Sequence, residues 1–189
     1  MIADALEEQP WSPATARWFT TGSWATEAES ASALDLRIDK TGMFHTYREV
    51  VGTLIQPRAG QRDRALRIDR ILTPSPVLRA RGWTHGAIGI EVKRSGISIG
   101  RPLAQAMDYV RGAWDLNGIW VQLGAVFLWP MDKQSGPLAS LMVHNRIGAA
   151  SFSGWENIKL SLGEEVLFAD GFNGVRLGRI DSGHGTGSR

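Results

Sequence analysis

Cysteine is missing from this chain of 189 residues. Its absence excludes a disulfide framework, a thiolate nucleophile, a cysteine zinc site and an iron-sulfur cluster. Any bound metal must therefore use carboxylate, carbonyl or imidazole ligands, a set that favours hard cations. Long apolar runs are missing too, since residues 118–131 are interrupted by Gln122 and two glycines and are too short to cross a bilayer. The first ten residues are acidic where a signal peptide is basic, so we expect a cytoplasmic protein without a membrane partner.

Positive charge is concentrated in the middle third of the chain. Residues 48–111 contain 11 Arg and 1 Lys against 5 acidic residues, a net charge of +7, whereas the remainder has 9 basic and 14 acidic residues, a net charge of −5. A basic segment of this kind is a candidate surface for a polyanion. Scattered, solvated arginines would give the same count, so charge alone suggests a nucleic acid without establishing it.

The length fits one domain, to which we assign residues 1–180, followed by a glycine-rich tail at 181–189 that we expect to be disordered. Alanine-rich residues 13–36 predict a helical layer divided at Gly22. Residues 43–57 and 65–74 have the β-branched and aromatic content of two adjacent strands joined by a hairpin loop at 58–64. Residues 75–86 are expected to form a loop, and residues 87–94 a strand at the centre of the sheet.

The second half of the chain continues this alternation of helix and strand. Leu103, Met107, Val110 and Trp114 are spaced by three or four residues, which predicts a helix over 102–116 that starts at Pro102. Residues 118–130 predict a buried strand, 135–147 a second helix, and 158–178 a hairpin or meander. Together these elements predict an α/β fold with a mixed central β-sheet flanked by helices.

Asp69, Glu91 and Lys93 are the strongest candidates for chemistry. Glu91 and Lys93 are two residues apart on a predicted strand, so their side chains emerge on one face, and Asp69 on the neighbouring strand reaches the same place if the strands bend there. Two converging carboxylates suit Mg²⁺ or Mn²⁺, and a lysine beside the ion can act on the attacking water and on phosphate charge. An exposed ion pair on an amphipathic strand is the alternative. Lysine is scarce, with 4 Lys against 17 Arg, and this favours a specific chemical role for Lys93 that arginine could not fill.

Gln105 and Tyr109 lie four residues apart and hence on one face of the predicted helix. A core tyrosine and a surface glutamine would show the same spacing. With these two residues added, the segments RIDRI, IEVK and QAMDY, found in this order within residues 47–111, resemble the PD-(D/E)XK nuclease superfamily and, within it, the RecB-like nucleases with a QxxxY motif. Ile68 stands where that family normally has proline before the first acid.

The resemblance implies a restriction-endonuclease-like core and hydrolysis of DNA phosphodiester bonds with Mg²⁺ or Mn²⁺. It implies metal binding by Asp69, Glu91 and the backbone carbonyl of Val92, water activation by Lys93, and contacts of Gln105 and Tyr109 that position the active site and the DNA backbone. Relatives often add an upstream ligand, for which Glu49 is our candidate. The alternatives left open are an RNA nuclease, a non-catalytic nucleic-acid-binding module, and a homo-oligomer or subunit of a larger DNA-processing complex.

Several residues outside the motifs complete the predicted site. Glu29 is the second candidate for the upstream acid, and an exposed carboxylate is an equal alternative for it and for Glu49. Trp83 and Trp114 flank the motifs where bases can stack, although core packing explains them better. The candidate nucleic-acid-binding arginines are Arg67, Arg70, Arg94, Arg101 and Arg111.

Overall fold

A computed structural model describes residues 24–55, 65–132, 134–153, 156–171 and 174–178. In these ranges there are four helices: α1 (Glu27–Thr41), α2 (Pro76–Ala80), α3 (Gly100–Val110) and α4 (Gly136–His144). The strands are β1 (Phe44–Leu54), β2 (Ala65–Pro74), β3 (Ala87–Val92), β4 (Gly112–Leu116), β5 (Ile119–Trp129), β6 (Ile147–Ser153), β7 (Glu156–Leu162), β8 (Glu165–Gly171) and β9 (Gly174–Leu177). The predicted α/β class is confirmed.

All nine strands belong to one mixed sheet in the order β3-β2-β1-β4-β5-β6-β7-β8-β9, with a further pairing of β3 with β5. The β3–β5 and β5–β6 pairs are parallel, connected through α3 and α4 respectively, and the other pairs are antiparallel. Because β3 pairs with β2 and with β5, the strand that carries Glu91 is central, as its apolar sequence predicts.

The sheet separates two apolar cores with helices on both sides. Residues of β5 alternate between them: Val126 and Leu128 belong to the core that includes α3 and α4, whereas Phe127 and Trp129 belong to the core that includes α1 and α2. This alternation is the period of two that a strand imposes. We call these the α3 core and the α1 core. Among the described residues no helix is long and apolar enough to cross a membrane.

Two predicted elements differ from the structure, one because of local helix capping and one because of packing against a distant strand. Residues 75–86, expected to be a loop, contain α2, which starts because the Ser75 hydroxyl accepts a hydrogen bond from the amide of Leu78 at 3.3 Å and Pro76 occupies the first turn. The helix predicted over 102–116 ends at Val110, and Trp114 lies on β4. Its indole fills the space above Gly52, where an added Cβ would meet the ring at 2.6 Å.

The other helices also differ from their predicted ends. Helix α1 runs to Thr41, beyond the predicted end at residue 36, and stops at Gly42 in the left-handed conformation. Helix α4 stops at His144, and the strand β6 that follows was not predicted. The predicted break at Gly22, the hairpin loop at 58–64 and the tail at 181–189 lie outside the described residues.

Candidate active site

In strands β1 and β2 the alternation of side chains between the two faces of the sheet is interrupted near the middle of each strand. We call this interruption a change of phase. Tyr47 and Val50 both pack in the α3 core, although residues three apart on a regular strand face opposite sides. Ile68 and Ile71 do the same on β2. The two strands therefore bend at one level, as the sequence required for Asp69 to reach the strand of Glu91.

The change of phase is centred on Glu49 and Asp69. The register pairs Arg48 with Arg70 and Val50 with Ile68, which leaves Glu49 opposite Asp69 at the level of the bend. Glu49 has a positive φ of 52°, in the left-handed region that residues other than glycine seldom adopt. The irregularity is thus confined to one facing pair while the pairing on both sides keeps its register.

The Asp69 carboxylate completes the edge of the β2–β3 ladder. The Cα pairing of these strands ends at Arg70 and Ile90. Beyond it the amide of Val92 donates a hydrogen bond to Oδ2 of Asp69 at 2.7 Å, in place of a backbone carbonyl. Asp69 is thereby fixed beside Glu91, the residue that precedes Val92.

Arg70 supports this arrangement from inside the protein. Its Nε and Nη2 donate to the two oxygens of Asp35 on α1 at 2.7 and 3.1 Å, and its Nη1 donates to the backbone carbonyl of Asp69 at 2.7 Å. Arg48 adds a contact of 3.0 Å to Asp35. The expectation that Arg70 contacts nucleic acid needs correction, because its side chain is only 8% exposed and its donors are engaged.

Glu91 and Lys93 form a buried ion pair beside Asp69. Nζ of Lys93 lies 2.6 Å from Oε1 of Glu91, with 14% and 3% of the two side chains exposed. The Asp69 carboxyl group lies close enough to interact electrostatically with that of Glu91. An ordinary exposed ion pair on an amphipathic strand does not describe these residues. The three side chains that the sequence grouped together do meet in the structure.

The carboxyl pair resists carrying two negative charges. Burial, and then the charge of Asp69, raises the pKa of Glu91 to about 7. Burial also raises the pKa of Asp69, against the opposing effects of the Val92 amide and Lys93. Two desolvated carboxyl groups close to each other hold one proton between them more readily than they carry two negative charges. A cation between them would remove that repulsion.

Lys93 is held as an ammonium in this setting. Burial alone would lower its pKa, but the charge and hydrogen bond of Glu91, followed by the charges of Glu27 and Asp69, exceed that effect and raise it. Glu27, in the first turn of α1, has a carboxylate oxygen 3.7 Å from Nζ of Lys93. Lys93 can therefore donate hydrogen bonds and supply positive charge at neutral pH.

Glu27 was missed in the sequence, although a signal for it was present. The pattern Thr26-x-x-Glu29 is a capping box, in which Glu29 accepts hydrogen bonds from the amides of Ala25 and Thr26 while the Thr26 hydroxyl accepts from the amide of Glu29. Glu29 therefore caps the N-terminus of α1. Recognising the box would have directed attention to the other acid of this turn, Glu27.

A pocket of about 300 Å³ adjoins the ion pair. Its lining residues are Glu27, Lys93, Ile97, Arg101, Pro102 and Gln105. Gln105, predicted to contact substrate, thus faces this space. Tyr109 lies one turn further along α3 and is buried outside the lining, with its ring edge-on to Trp114 at a centroid distance of 5.5 Å.

The remaining candidates divide between surface and core. The Glu49 carboxylate is 47% exposed and forms an ion pair with Arg67, while Arg94, Arg101 and Arg111 are exposed. Exposure leaves these last three arginines accessible to a polyanion.

Trp83 and Trp114 are both buried, at 7% and 0% exposure, so core packing is confirmed as the better explanation of these tryptophans. The indole of Trp83 donates to the carbonyl of Gly86 at 2.9 Å. Neither ring offers a face to a base.

Within the described ranges no group of three or more His, Cys, Asp or Glu side chains is arranged to hold a metal ion. A cation at this place would rest on two carboxylates and on backbone or water oxygens. Comparisons with models of known protein families, with curated proteins and with solved structures found no match for this chain. The functional interpretation therefore depends on the residues themselves.

Proposed function

We propose that the protein is a metal-dependent nuclease of the PD-(D/E)XK type that hydrolyses DNA phosphodiester bonds. The observation that carries the proposal is the buried contact of Asp69 on β2 with Glu91 on β3 and with Lys93, which directly follows β3. Burying charged groups is costly, and strongly perturbed carboxyl groups cluster at functional sites. Their residue types are those that metal-assisted phosphodiester hydrolysis needs.

The donor set fits a divalent cation. Asp69 and Glu91 would hold Mg²⁺ or Mn²⁺ together with the carbonyl of Val92. The electrostatic interaction between the two carboxyl groups and the hydrogen bond from the Val92 amide to Asp69 support this assignment. Mg²⁺ is commonly bound by one or two carboxylates with waters and substrate phosphates as further ligands, so a pair is sufficient. The bound ion would activate water and neutralise phosphate charge.

Lys93 lies beside the carboxyl pair of Asp69 and Glu91 and would act on the substrate. Glu91 holds the ammonium group in place. Because an ammonium has three N–H donors, another of them can point toward the attacking water or a non-bridging phosphate oxygen. A hydrogen bond to developing charge is strongest where water is excluded, and this side chain is mostly buried. Glu27 stabilises the same ammonium from α1.

The DNA backbone would enter through the pocket beside Lys93. Arg101 and Gln105 line this space from α3, and Arg94 lies exposed next to the end of β3. A guanidinium group and an amide are suited to phosphate and sugar oxygens. The finer fold assignment, a restriction-endonuclease-like core, is supported by the antiparallel strands β1 to β3 followed by α3 and the parallel strand β5.

The second candidate is a nucleic-acid-binding module whose carboxylates are structural. The lack of a third acidic metal ligand in the described ranges favours it, as does the direct pairing of Lys93 with Glu91. The two functions differ in one measurable property. A module binds nucleic acid whether or not a metal is present, and it leaves the phosphodiester bond intact.

The deciding experiment measures cleavage of linear duplex, circular duplex, single-stranded DNA and RNA with Mg²⁺, with Mn²⁺ and with a chelator. We expect cleavage of DNA only with metal, and its loss in Asp69→Asn. Metal should also raise Tm, by about 5 to 10 °C at a hundredfold excess over Kd, in the parent but not in Asp69→Asn. Binding of DNA without cleavage under every metal condition would establish the module instead. Cleavage confined to RNA would change the substrate but keep the chemistry.

A further inference from the structure

Glu49 has an unusual backbone for its place in a strand. It lies inside β1 with a φ of 52°, while strand residues normally have strongly negative φ. A glutamate in the left-handed region is strained, and such strain persists only where the surrounding structure imposes it. Strained positions of this kind concentrate at functional sites, so its location opposite Asp69 is informative.

The side chain of Glu49 does not explain its position. Its carboxylate is close to half exposed and pairs with Arg67, whose side chain is 68% exposed. The charge of Glu49 raises the pKa of Asp69, but only as a lesser cause after burial, the Val92 amide and Lys93. A surface ion pair of this kind is worth little and does not require a left-handed backbone.

The backbone of Glu49 does account for the position of Asp69. Without a change of phase in β1 and β2, Val50 and Ile68 would turn away from the α3 core that now holds both of them. With it, Asp69 leaves the regular ladder and its carboxylate reaches the amide of Val92 at 2.7 Å.

We propose that Glu49 is a positioning residue whose left-handed backbone, rather than its carboxylate, sets Asp69 against Val92 and so assembles the pair Asp69 and Glu91. The inference rests on the proposed function only for its Mn²⁺-affinity readout. The contact between Asp69 and Val92 can be followed in the metal-free protein whether or not the protein cleaves DNA.

The test compares Glu49→Gly, Glu49→Gln and Glu49→Val. Glycine enters the left-handed region freely, glutamine removes only the charge, and β-branched valine strongly disfavours positive φ. We expect Glu49→Val to lower Mn²⁺ affinity by about 10- to 100-fold, as loss of a residue that orients a ligand does. Hydrogen exchange at the Val92 amide should accelerate in the same variant, with both properties near parental values in the other two.

The outcomes separate the backbone from the carboxylate. If Glu49→Gln and Glu49→Gly both lose Mn²⁺ affinity as far as Glu49→Val, the carboxylate is a ligand and the inference is wrong. If Glu49→Val keeps the affinity and the Val92 exchange rate, the left-handed backbone is not needed. Should Glu49→Val fail to fold, Glu49→Ala replaces it, and glycine must then exceed alanine in Val92 protection for the inference to stand.

Val51 provides a matched control two residues further along β1. It is exposed on a regular part of the strand, so Val51→Gly should lower Tm whereas Glu49→Gly should not. Equal losses of Tm at the two positions would contradict a special backbone at Glu49. A parent protein that cleaves no substrate but shows this pattern of Val92 exchange would refute the nuclease proposal and leave the role of Glu49 intact.

Discussion

The region that holds α1 and strands β1 to β3 differs from the meander of β6 to β9. The buried polar and charged residues of the described chain are Ser30, Thr41, Arg70, Ser75, Glu91 and Ser161, and only the last belongs to the meander. In β7 the buried Ile158 and Leu160 alternate with the more exposed Lys159, which is the regular pattern of a strand. The first region holds the buried charged residues Arg70 and Glu91 and a strand glutamate with a left-handed backbone. The described residues of the meander hold neither of these features, although the β6–β7 and β7–β8 pairs contain register shifts.

This difference indicates where the protein accepts a cost in stability. Buried charges are unfavourable unless they are paired and hydrogen-bonded, and a left-handed glutamate adds strain. The pairs of Arg70 with Asp35 and of Lys93 with Glu91 meet that condition on the two sides of Asp69. The meander, by contrast, extends the sheet through β6 and closes the α1 core with Ile158, Leu160 and Phe168. The predictions below test this contrast.

The largest effect is expected for Asp35→Ala, which leaves the mostly buried guanidinium of Arg70 without its carboxylate. Removing one partner of a buried ion pair costs about 3 to 5 kcal/mol, because the other charge stays desolvated. The matched change in the meander is Asp170→Ala, which removes an exposed hydrogen bond from Asn157 and should cost no more than about 0.5 kcal/mol. Denaturant unfolding of both variants measures the difference. Similar losses at the two sites would remove the contrast between the regions.

The second effect concerns turnover and compares two lysines. Lys93→Ala removes hydrogen bonds to charge that develops in the transition state, so we expect kcat to fall by at least about 100-fold while DNA affinity changes little. Lys159→Ala, on β7, should leave kcat near the parental value. Lys133, the other lysine of the second half available for comparison, lies outside the described residues. Parental kcat in Lys93→Ala at saturating metal would refute the proposed mechanism.

The elements that the sequence predicted well are those with a strong local pattern. The bounds of β2 coincide with residues 65–74. Strand β1 starts one residue later than predicted, and β3 starts at the predicted residue 87 but ends two residues before the predicted end at 94. Their β-branched and aromatic content is a property of the segment itself. The spatial meeting of Asp69, Glu91 and Lys93 was also predicted, because spacing on one strand and order along the chain were enough.

What was missed depends on contacts between distant parts of the chain. Trp114 completed a helical spacing by coincidence, and its strand conformation follows from the space above Gly52. Arg70 could not be recognised as buried until Asp35 was placed against it by α1. Glu49 gave no local sign of its positive φ, since a glutamate in a strand pattern predicts an ordinary strand residue.

The smallest effect is expected for DNA binding and compares two exposed arginines. Arg101, beside the pocket, is proposed to contact a backbone phosphate, whereas Arg176 on β9 belongs to the meander. Each phosphate contact releases about one counterion, so Arg101→Ala should reduce the slope of log affinity against log salt by about 1. The measurement is fluorescence anisotropy with labelled DNA between about 50 and 200 mM salt, with a chelator present to prevent cleavage.

Arg176→Ala should leave the slope unchanged, because its position is not adjacent to the pocket. Equal changes of slope in the two variants would mean that the charge of the whole protein attracts DNA, and would remove the pocket beside Lys93 as the place where the backbone binds.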